Sequence, residues 1–419
     1  MRWRKSSLLY LAIILTFLSA VSCKERQKTV ETPWGSTVEV EQDDDNSADT
    51  IPANGKGARY SLEDIKQGGE MIMLTLSGPD TYYDYHGKGM GTHYLLCEKL
   101  AEQLGVTLRV DVCRDTVEML QRLRNGEADI IAYPLDKKSQ TGFLACAAGW
   151  VVSSESKDLA AAISGWYKPN MLADMKKQEE QIIAMGAVTR HVYPIMLSAS
   201  KGQVSSYDIF FRKYAATAGV DWVMLAAQCY QESCFDPRAH SWAGACGLMQ
   251  IMPATADHLQ LPRSQMYEPE PNIAAAARYM RELQGVFRDV GNPAERLKFA
   301  LAAYNGGYYH IRDAMALAKK YGGTNQRWDN VRRYVILLSD AKFYRDPVVK
   351  NGYMRGSETA NYVDMIMERY AQYREALRTG KKIISTVKAK SYDAENFKAP
   401  ESGSAAAHRA SKKNKWRKE

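Results

Sequence analysis

From residue 206 to about residue 373 apolar side chains recur at three- and four-residue steps, over 207–218, 221–231, 273–287, 294–305 and 359–371. Segments patterned this way carry one apolar stripe each and bury it only by packing helix against helix. The region ahead of them, 71–168, follows a different rule. Met71-Ile72-Met73-Leu74-Thr75-Leu76 reads as a buried strand, and Leu95, Leu96, Leu100 and Leu104 mark a helix. Leu108-Arg109-Val110-Asp111-Val112 reads as a second strand, 117–124 as a helix and Asp129-Ile130-Ile131-Ala132 as a third strand. A β-α-β-α-β order implies a small parallel sheet flanked by helices. With 419 residues the chain is long enough for two such cores.

The ends differ from both. Arg2, Arg4 and Lys5 precede an 11-residue apolar run, Leu8 to Leu18, and then the small-residue stretch Ser19-Ala20-Val21-Ser22-Cys23. That run is short for a bilayer span and has the layout of an export signal. Glu31, Glu39, Glu41, Asp43, Asp44, Asp45 and Asp49 make the next segment acidic, and Arg409, Lys412, Lys413, Lys415, Arg417 and Lys418 make the tail basic. Both compositions predict solvated, unfolded segments. The formal net charge of +8 is modest, and no nucleic-acid partner is expected of an exported chain. Beyond Cys23 there are six cysteines, Cys97, Cys113, Cys146, Cys229, Cys234 and Cys246, without a Cys-x-x-Cys pair, and the seven histidines are scattered. Neither a metal site nor a cofactor is expected.

One position concentrates chemistry. Asp221 is placed to cap an apolar helix, Trp222 to Gln231, and Glu232 stands at its far end. Apolar packing and the negative end of the helix dipole both disfavour the carboxylate, so Glu232 should stay protonated near neutral pH, as a general acid must. Asp236, just before Pro237, reads as a turn residue rather than a second catalytic carboxylate. Gly244 and Gly247 then allow a tight turn.

The run Glu232-Ser233-Cys234-Phe235-Asp236-Pro237, followed by Gly247-Leu248-Met249-Gln250, resembles the lytic transglycosylase family of the goose-type lysozyme superfamily. Two more blocks, Ala302-Ala303-Tyr304-Asn305-Gly306-Gly307 and Glu358-Thr359-Ala360-Asn361-Tyr362-Val363, match that family's motifs in the expected order. The resemblance implies an enzyme that cleaves the MurNAc-GlcNAc β-1,4 bond of peptidoglycan and leaves 1,6-anhydromuramyl ends, with no cofactor. Glu232 would be the catalytic acid and base. Ser233, Met249, Gln250, Tyr304 and Asn305 would bind the sugar, and Tyr362 would orient Glu232. For Ser233 the alternative is a helix-end hydroxyl on its own backbone, and for Met249 a core side chain. A Cys234–Cys246 disulfide would brace the turn in that fold, two free thiols being the alternative. Competing functional readings are a goose-type lysozyme that hydrolyses the same bond and a non-enzymatic peptidoglycan-binding or sensor lipoprotein.

In the first region, Thr81-Tyr82-Tyr83, Leu100-Ala101-Glu102-Gln103-Leu104-Gly105-Val106 and Asn125-Gly126-Glu127-Ala128-Asp129 resemble the first lobe of a type 2 periplasmic solute-binding domain. About fifteen residues separate Leu135 from Trp150, too few for a second lobe, so no hinged clamp is expected. The lobe reads as a regulatory or docking module, and its removal is expected to leave cleavage of soluble glycan strands largely unchanged yet impair activity or placement on intact sacculi. The fold expected is therefore an α/β half-lobe of a type 2 periplasmic solute-binding fold followed by a mainly α lysozyme-like catalytic domain. Its parts run as a lipoprotein signal peptide (1–23), an acidic disordered linker (24–67), the lobe (68–168), a helical connector (169–203), the catalytic domain (204–375) and a basic, largely disordered tail (376–419). Cys23 resembles a lipobox cysteine, which implies a lipid anchor in the outer membrane facing the periplasm. The expected partners are peptidoglycan strands, the membrane and, as candidates, cell-wall synthesis or remodelling proteins.

Overall fold

The computed structural model describes residues 29–31, 37–39, 61–184, 188–384 and 387–390. Cys23 and the expected signal peptide lie outside the described residues, as does the tail beyond residue 390. The chain divides into two compact units, residues 1–55 and 56–419. In the first, β1 (Thr29–Glu31) pairs antiparallel with β2 (Thr37–Glu39), with Val30 opposite Val38. That pairing lies inside the segment expected to be a disordered linker, and so does the start of the second unit. There α1 (Leu62–Gly68) is fixed by a reciprocal capping box between Ser61 and Asp64 and ends on left-handed Gly69. The order of the folded lobe thus begins at residue 61 rather than 68.

The lobe is a five-stranded sheet. β3 (Glu70–Leu76) lies between β6 (Thr107–Cys113) and β7 (Ile130–Ile131), parallel to both, and β9 (Val151–Ser153) and β8 (Phe143–Ala145) follow outward from β7. α2 (Thr92–Leu104) and α3 (Thr116–Arg124) supply the crossovers that parallel strands need. The sheet is mixed rather than parallel throughout, because β8 and β9 run antiparallel to their neighbours. A turn as short as Cys146 to Trp150 joins only antiparallel strands, and the three-residue β8 had no periodicity to betray it. Alternate residues feed opposite faces: Met71, Met73, Ile130 and Val152 pack on one side, Leu74, Ile131 and Val151 on the other. Trp150 Nε1 donates to His93 Nδ1 at 2.8 Å, and burial pulls His93 down to about 4, so this histidine is a neutral core acceptor.

After α4 (Lys157–Trp166) and α5 (Met171–Ala184), the helical region runs through α6 (Asp208–Ala218), α7 (Trp222–Ser233), α8 (Pro253–His258), α9 (Pro269–Val286), α10 (Pro293–Gly306), α11 (Tyr308–Lys320), α12 (Trp328–Leu337), α13 (Ala341–Tyr344) and α14 (Gly356–Thr379). The last helix continues past the boundary expected at residue 375, and Ala376 in it is buried. α7 packs against both α6 and α14. A Cβ on Gly356 would stand 1.7 Å from the Val335 carbonyl, so only glycine lets α14 approach α12 this closely.

The lobe does not stand apart from these helices. Between β3 and α2 the chain forms a hairpin, β4 (Tyr83–Tyr85) and β5 (Lys88–Met90), whose Tyr83, Tyr85 and Met90 are buried in the same cluster as Met224, Leu225 and Tyr362. Tyr83 donates to Glu179 of α5 at 2.8 Å and meets the Tyr353 ring edge-on at 5.0 Å, and the Tyr353 amide donates to Ser77 Oγ at 2.9 Å. This bears against the expectation that cleavage of soluble glycan survives loss of the lobe: deleting 68–168 would strip side chains from the helical core itself. Tyr83→Ala removes a buried ring that bridges both regions, and the expected cost is about 3 kcal/mol. Calorimetry of the full chain should show the lobe and the helices losing stability together. A helical transition that stays where it was would mean the two regions fold independently.

Candidate active site

The site is organised around the C-terminal end of α7. Asp221 caps the helix, its side chain accepting from the Val223 amide at 3.1 Å, and the apolar run from Val223 to Ala227 is buried. The helix closes on Cys234 and Phe235, both left-handed at φ +50° and +64°. Such residues each cost on the order of 1 kcal/mol relative to glycine. Arg190 from the connector covers the exposed carbonyls, donating to Glu232 O at 2.7 Å and Gln231 O at 3.2 Å, which also offsets the helix dipole.

Glu232 is half-buried. Burial pushes its carboxyl up to about 7, against the opposing effects of a Tyr362 hydrogen bond and the nearby charges of His86 and Arg190. Tyr362 donates its hydroxyl to Glu232 Oε1 at 2.5 Å and accepts from Gln228 Nε2 at 3.3 Å. Burial and the Glu232 charge push the Tyr362 phenol far up, so it remains a donor. The residues of the three blocks are held by one another. Tyr304 donates to the Met249 carbonyl at 2.7 Å, and Thr359 donates to Asn305 Oδ1 at 2.7 Å. The second contact depends on Gly306, where a Cβ would stand 2.5 Å from Thr359 Oγ1.

Not every expected sugar-binding residue faces outward. Ser233 is fully buried and donates to the Cys229 carbonyl at 3.1 Å; its position one turn after Cys229 turns it into the helix. Met249 is likewise fully buried, and its amide donates to Asn272 Oδ1 at 2.8 Å. In this structure both side chains are turned into the core, and the two residues set the backbone that carries their neighbours. Gln250, left-handed at φ +47°, donates to Gly247 O at 2.9 Å and Ala239 O at 3.1 Å. Its Oε1 is buried without a partner, which keeps an acceptor in reserve. Asp236 accepts from the His191 amide at 2.7 Å and the Arg238 amide at 3.0 Å, as a turn residue does.

The cysteines correct one more expectation. Cys234 and Cys246 are separate thiols. Cys234 lies buried at the helix end, whereas the Cys246 thiol donates toward Tyr267 Oη at 3.2 Å and the Gly244 carbonyl at 3.3 Å. Each thus has its own neighbourhood. All six described cysteines are free, and burial pushes the thiols of Cys97, Cys113, Cys229 and Cys234 up, and that of Cys146 to about 11. Among the described residues no group of His, Cys, Asp and Glu is arranged to hold a metal ion.

Three participants were missed by sequence reasoning, Arg190 of the connector and two others. His86, at the tip of the β4–β5 hairpin, lies with Nε2 2.8 Å from Glu358 Oε1. Gln228, one turn before Glu232, holds the Tyr362 hydroxyl. A glutamine four residues ahead of a catalytic glutamate was a legible signal on one helix face; a histidine 272 positions from its partner was not.

Residues 209–326 match the transglycosylase SLT domain. A membrane-bound lytic murein transglycosylase F of Desulfosudis oleivorans is 40% identical over 158 residues, covering 38% of this chain and 34% of that protein, so the match spans about a third of that relative. The corresponding protein of Serratia proteamaculans is 27% identical over 421 residues, covering 74% of this chain and 85% of that protein. Among solved structures, the 70 kDa soluble lytic transglycosylase of Escherichia coli is 25% identical with a TM-score of 0.28, covering 49% of this chain and 27% of that one. The arginine-bound domain 1 of TmArgBP is 18% identical with a TM-score of 0.23, covering 26% of this chain and 96% of that one. The similarity is strongest in the helical region, where the three motif blocks gather on one raised carboxylate and residues 209–326 match the SLT domain.

Proposed function

We propose that the chain is a peptidoglycan lytic transglycosylase that cuts the MurNAc-GlcNAc β-1,4 bond and closes a 1,6-anhydro ring on the muramyl side. The observation that carries this reading is the state of Glu232: half-buried, raised to about 7 and held by a tyrosine hydroxyl. A carboxyl titrating near neutrality can give and take a proton in one turnover. In the forward step the Glu232 proton passes to the glycosidic oxygen as its bond to C1 breaks. The C6 hydroxyl oxygen of the same muramyl residue then bonds to C1, and its proton returns to the Glu232 carboxylate. No water enters, and the enzyme regains its starting form. A tethered nucleophile has a large effective molarity, so a second catalytic carboxylate is unnecessary.

Asn305 and Tyr304, braced by Thr359 and the Met249 carbonyl, are the residues we assign to sugar recognition, with Gln250 Oε1 as a further acceptor. The wider reading places the protein in the cell envelope, exported by 1–23 and anchored through a lipidated Cys23, with peptidoglycan strands as substrate. Among the described residues no helix is long and apolar enough to cross a membrane. Cys23→Ser should therefore move the protein from the membrane pellet to the soluble fraction; a mutant that still sediments would remove the lipobox from the argument.

Digesting purified sacculi and weighing the products tests the reaction. Anhydro ends are lighter by one water than the reducing ends a hydrolase leaves. Glu232→Gln should lower turnover by about 10²–10⁴-fold or more, since one group serves both steps; more than about a tenth of the wild-type rate would contradict the assignment. The same substitution should also stabilise the fold at alkaline pH. Between about pH 4.5 and 7 the unfolded chain releases this proton before the folded one does, so the native carboxyl loses ground as pH rises. The glutamine variant lacks that loss, and its melting point should exceed wild type at pH 8 but not at pH 4.

Tyr362→Phe removes a hydrogen bond that favours the carboxylate. Bonds to charged groups contribute about 1.5–3 kcal/mol, so turnover should fall roughly ten-fold or more. The alkaline limb of the pH–rate profile should move upward, because Glu232 then holds its proton longer. A limb that moves down would mean that Tyr362 acts on something else.

A further inference from the structure

The β4–β5 hairpin belongs to the lobe in sequence, yet its tip sits at the catalytic site. Tyr85 pairs with Lys88, which leaves His86 and Gly87 as a two-residue turn at φ +53° and +75°. Asparagine before glycine is the usual choice for such a turn, and histidine in the left-handed region is uncommon. The tip is pinned on several sides. The Tyr85 ring stacks on Trp242 at 6.1 Å and 20°. A Cβ on Gly87 would stand 3.1 Å from Met252 Cε, and the Arg355 guanidinium lies 5.6 Å from the Tyr85 ring centre. Trp242 and Met252 bracket the loop that follows Glu232, and Arg355 opens α14.

From that position His86 Nε2 meets Glu358 Oε1 at 2.8 Å. Glu358 precedes Tyr362 by one helical turn on the same face, and Tyr362 holds Glu232. We propose that His86 is a positioning residue of the active site: anchored on Glu358, its imidazolium supplies from the lobe the positive charge that balances Glu232. The proposal rests on the reading of Glu232 as the acid and base of cleavage.

The groups facing the histidine agree on its charge. Burial alone would lower it, but the Glu358 hydrogen bond and the charges of Glu358, Glu232 and Asp84 hold it above its ordinary value. Burial alone would raise Glu358, but the bond and charge of His86, with Tyr85 and Arg355, hold it below. Asp84, on the hairpin itself, faces His310, which burial keeps neutral. The Glu358 contact thus favours a cationic tip facing a site whose burial pushes Glu232 up. An acid that holds its proton too tightly gives it up poorly to the glycosidic oxygen in the first half of the reaction. The imidazolium keeps that proton exchangeable.

The test is the pH dependence of kcat/KM on purified glycan strands for wild type, His86→Asn, His86→Lys and Glu358→Gln. Asparagine suits the left-handed turn and removes the charge, whereas lysine retains it. The alkaline limb should rise by about half a pH unit or more in His86→Asn, the scale expected when a charge leaves the neighbourhood of a carboxyl. It should stay near wild type in His86→Lys. Glu358→Gln, which leaves the hairpin sequence untouched and lets His86 lose its proton, should move the limb in the same direction as His86→Asn and keeps the test open if the hairpin variants do not fold. A uniform loss of rate with unmoved limbs in the charge-removing variants would reduce His86 to a structural contact and overturn the proposal. Equal shifts in the asparagine and lysine variants would overturn it as well. If wild type itself releases no anhydro products, the functional reading fails instead, which is a separate result.

Discussion

A carboxyl group kept from water at the negative end of a helix is the constraint to which the surrounding structure answers. Left alone, Glu232 would hold its proton too tightly to begin the reaction we propose. Four partners moderate it from four parts of the chain: Tyr362 from α14, Gln228 through that tyrosine, Arg190 from the connector and His86 from the lobe. Each needs a backbone feature to reach its place. Close approach at Gly306 and Gly356 seats α14, and the left-handed pair Cys234-Phe235 ends α7 without another turn. The local strain and the helix packing are therefore parts of one arrangement around a single proton.

The same arrangement explains why the lobe and the helices share a core. The lobe carries a hairpin long enough to reach the neighbouring helices. Tyr83, Tyr85 and Met90 bury there, with Tyr83 bonded to Glu179 of α5. In the folded chain the lobe and the helices close one core between them.

Much of this was legible beforehand because it is written in local pattern. The helical steps, the Asp221 cap and the order of the three motif blocks all depend on residues close in sequence, and the structure places Glu232, Tyr362, Asn305 and Tyr304 together. What could not be read was of two kinds. Some decisions turn on which face of a helix a residue occupies: Ser233 falls one turn after Cys229 and points inward, although its neighbour Glu232 remains partly open. Others join distant positions. Nothing near Tyr85-His86-Gly87 announces Glu358, and the three-residue β8 is too short for any alternation to register. The Cys234–Cys246 expectation failed for a related reason, since nearness of two segments does not fix where their side chains point.

The six free thiols carry a consequence for how such a chain comes to be folded. Once the core has closed, burial leaves most of them with little thiolate, the form that attacks disulfides. In an oxidising compartment the buried thiols of the native protein are thus chemically quiet, with no crosslink among the described cysteines. The nascent chain has no such shelter. Before α7 and the sheet are packed, Cys97, Cys113, Cys229 and their companions are ordinary thiols, free to mispair with one another. Protection comes from packing alone, so the exposure to oxidation lasts as long as folding does, and a substitution that merely slows core closure would show itself as scrambled disulfides rather than as lost stability.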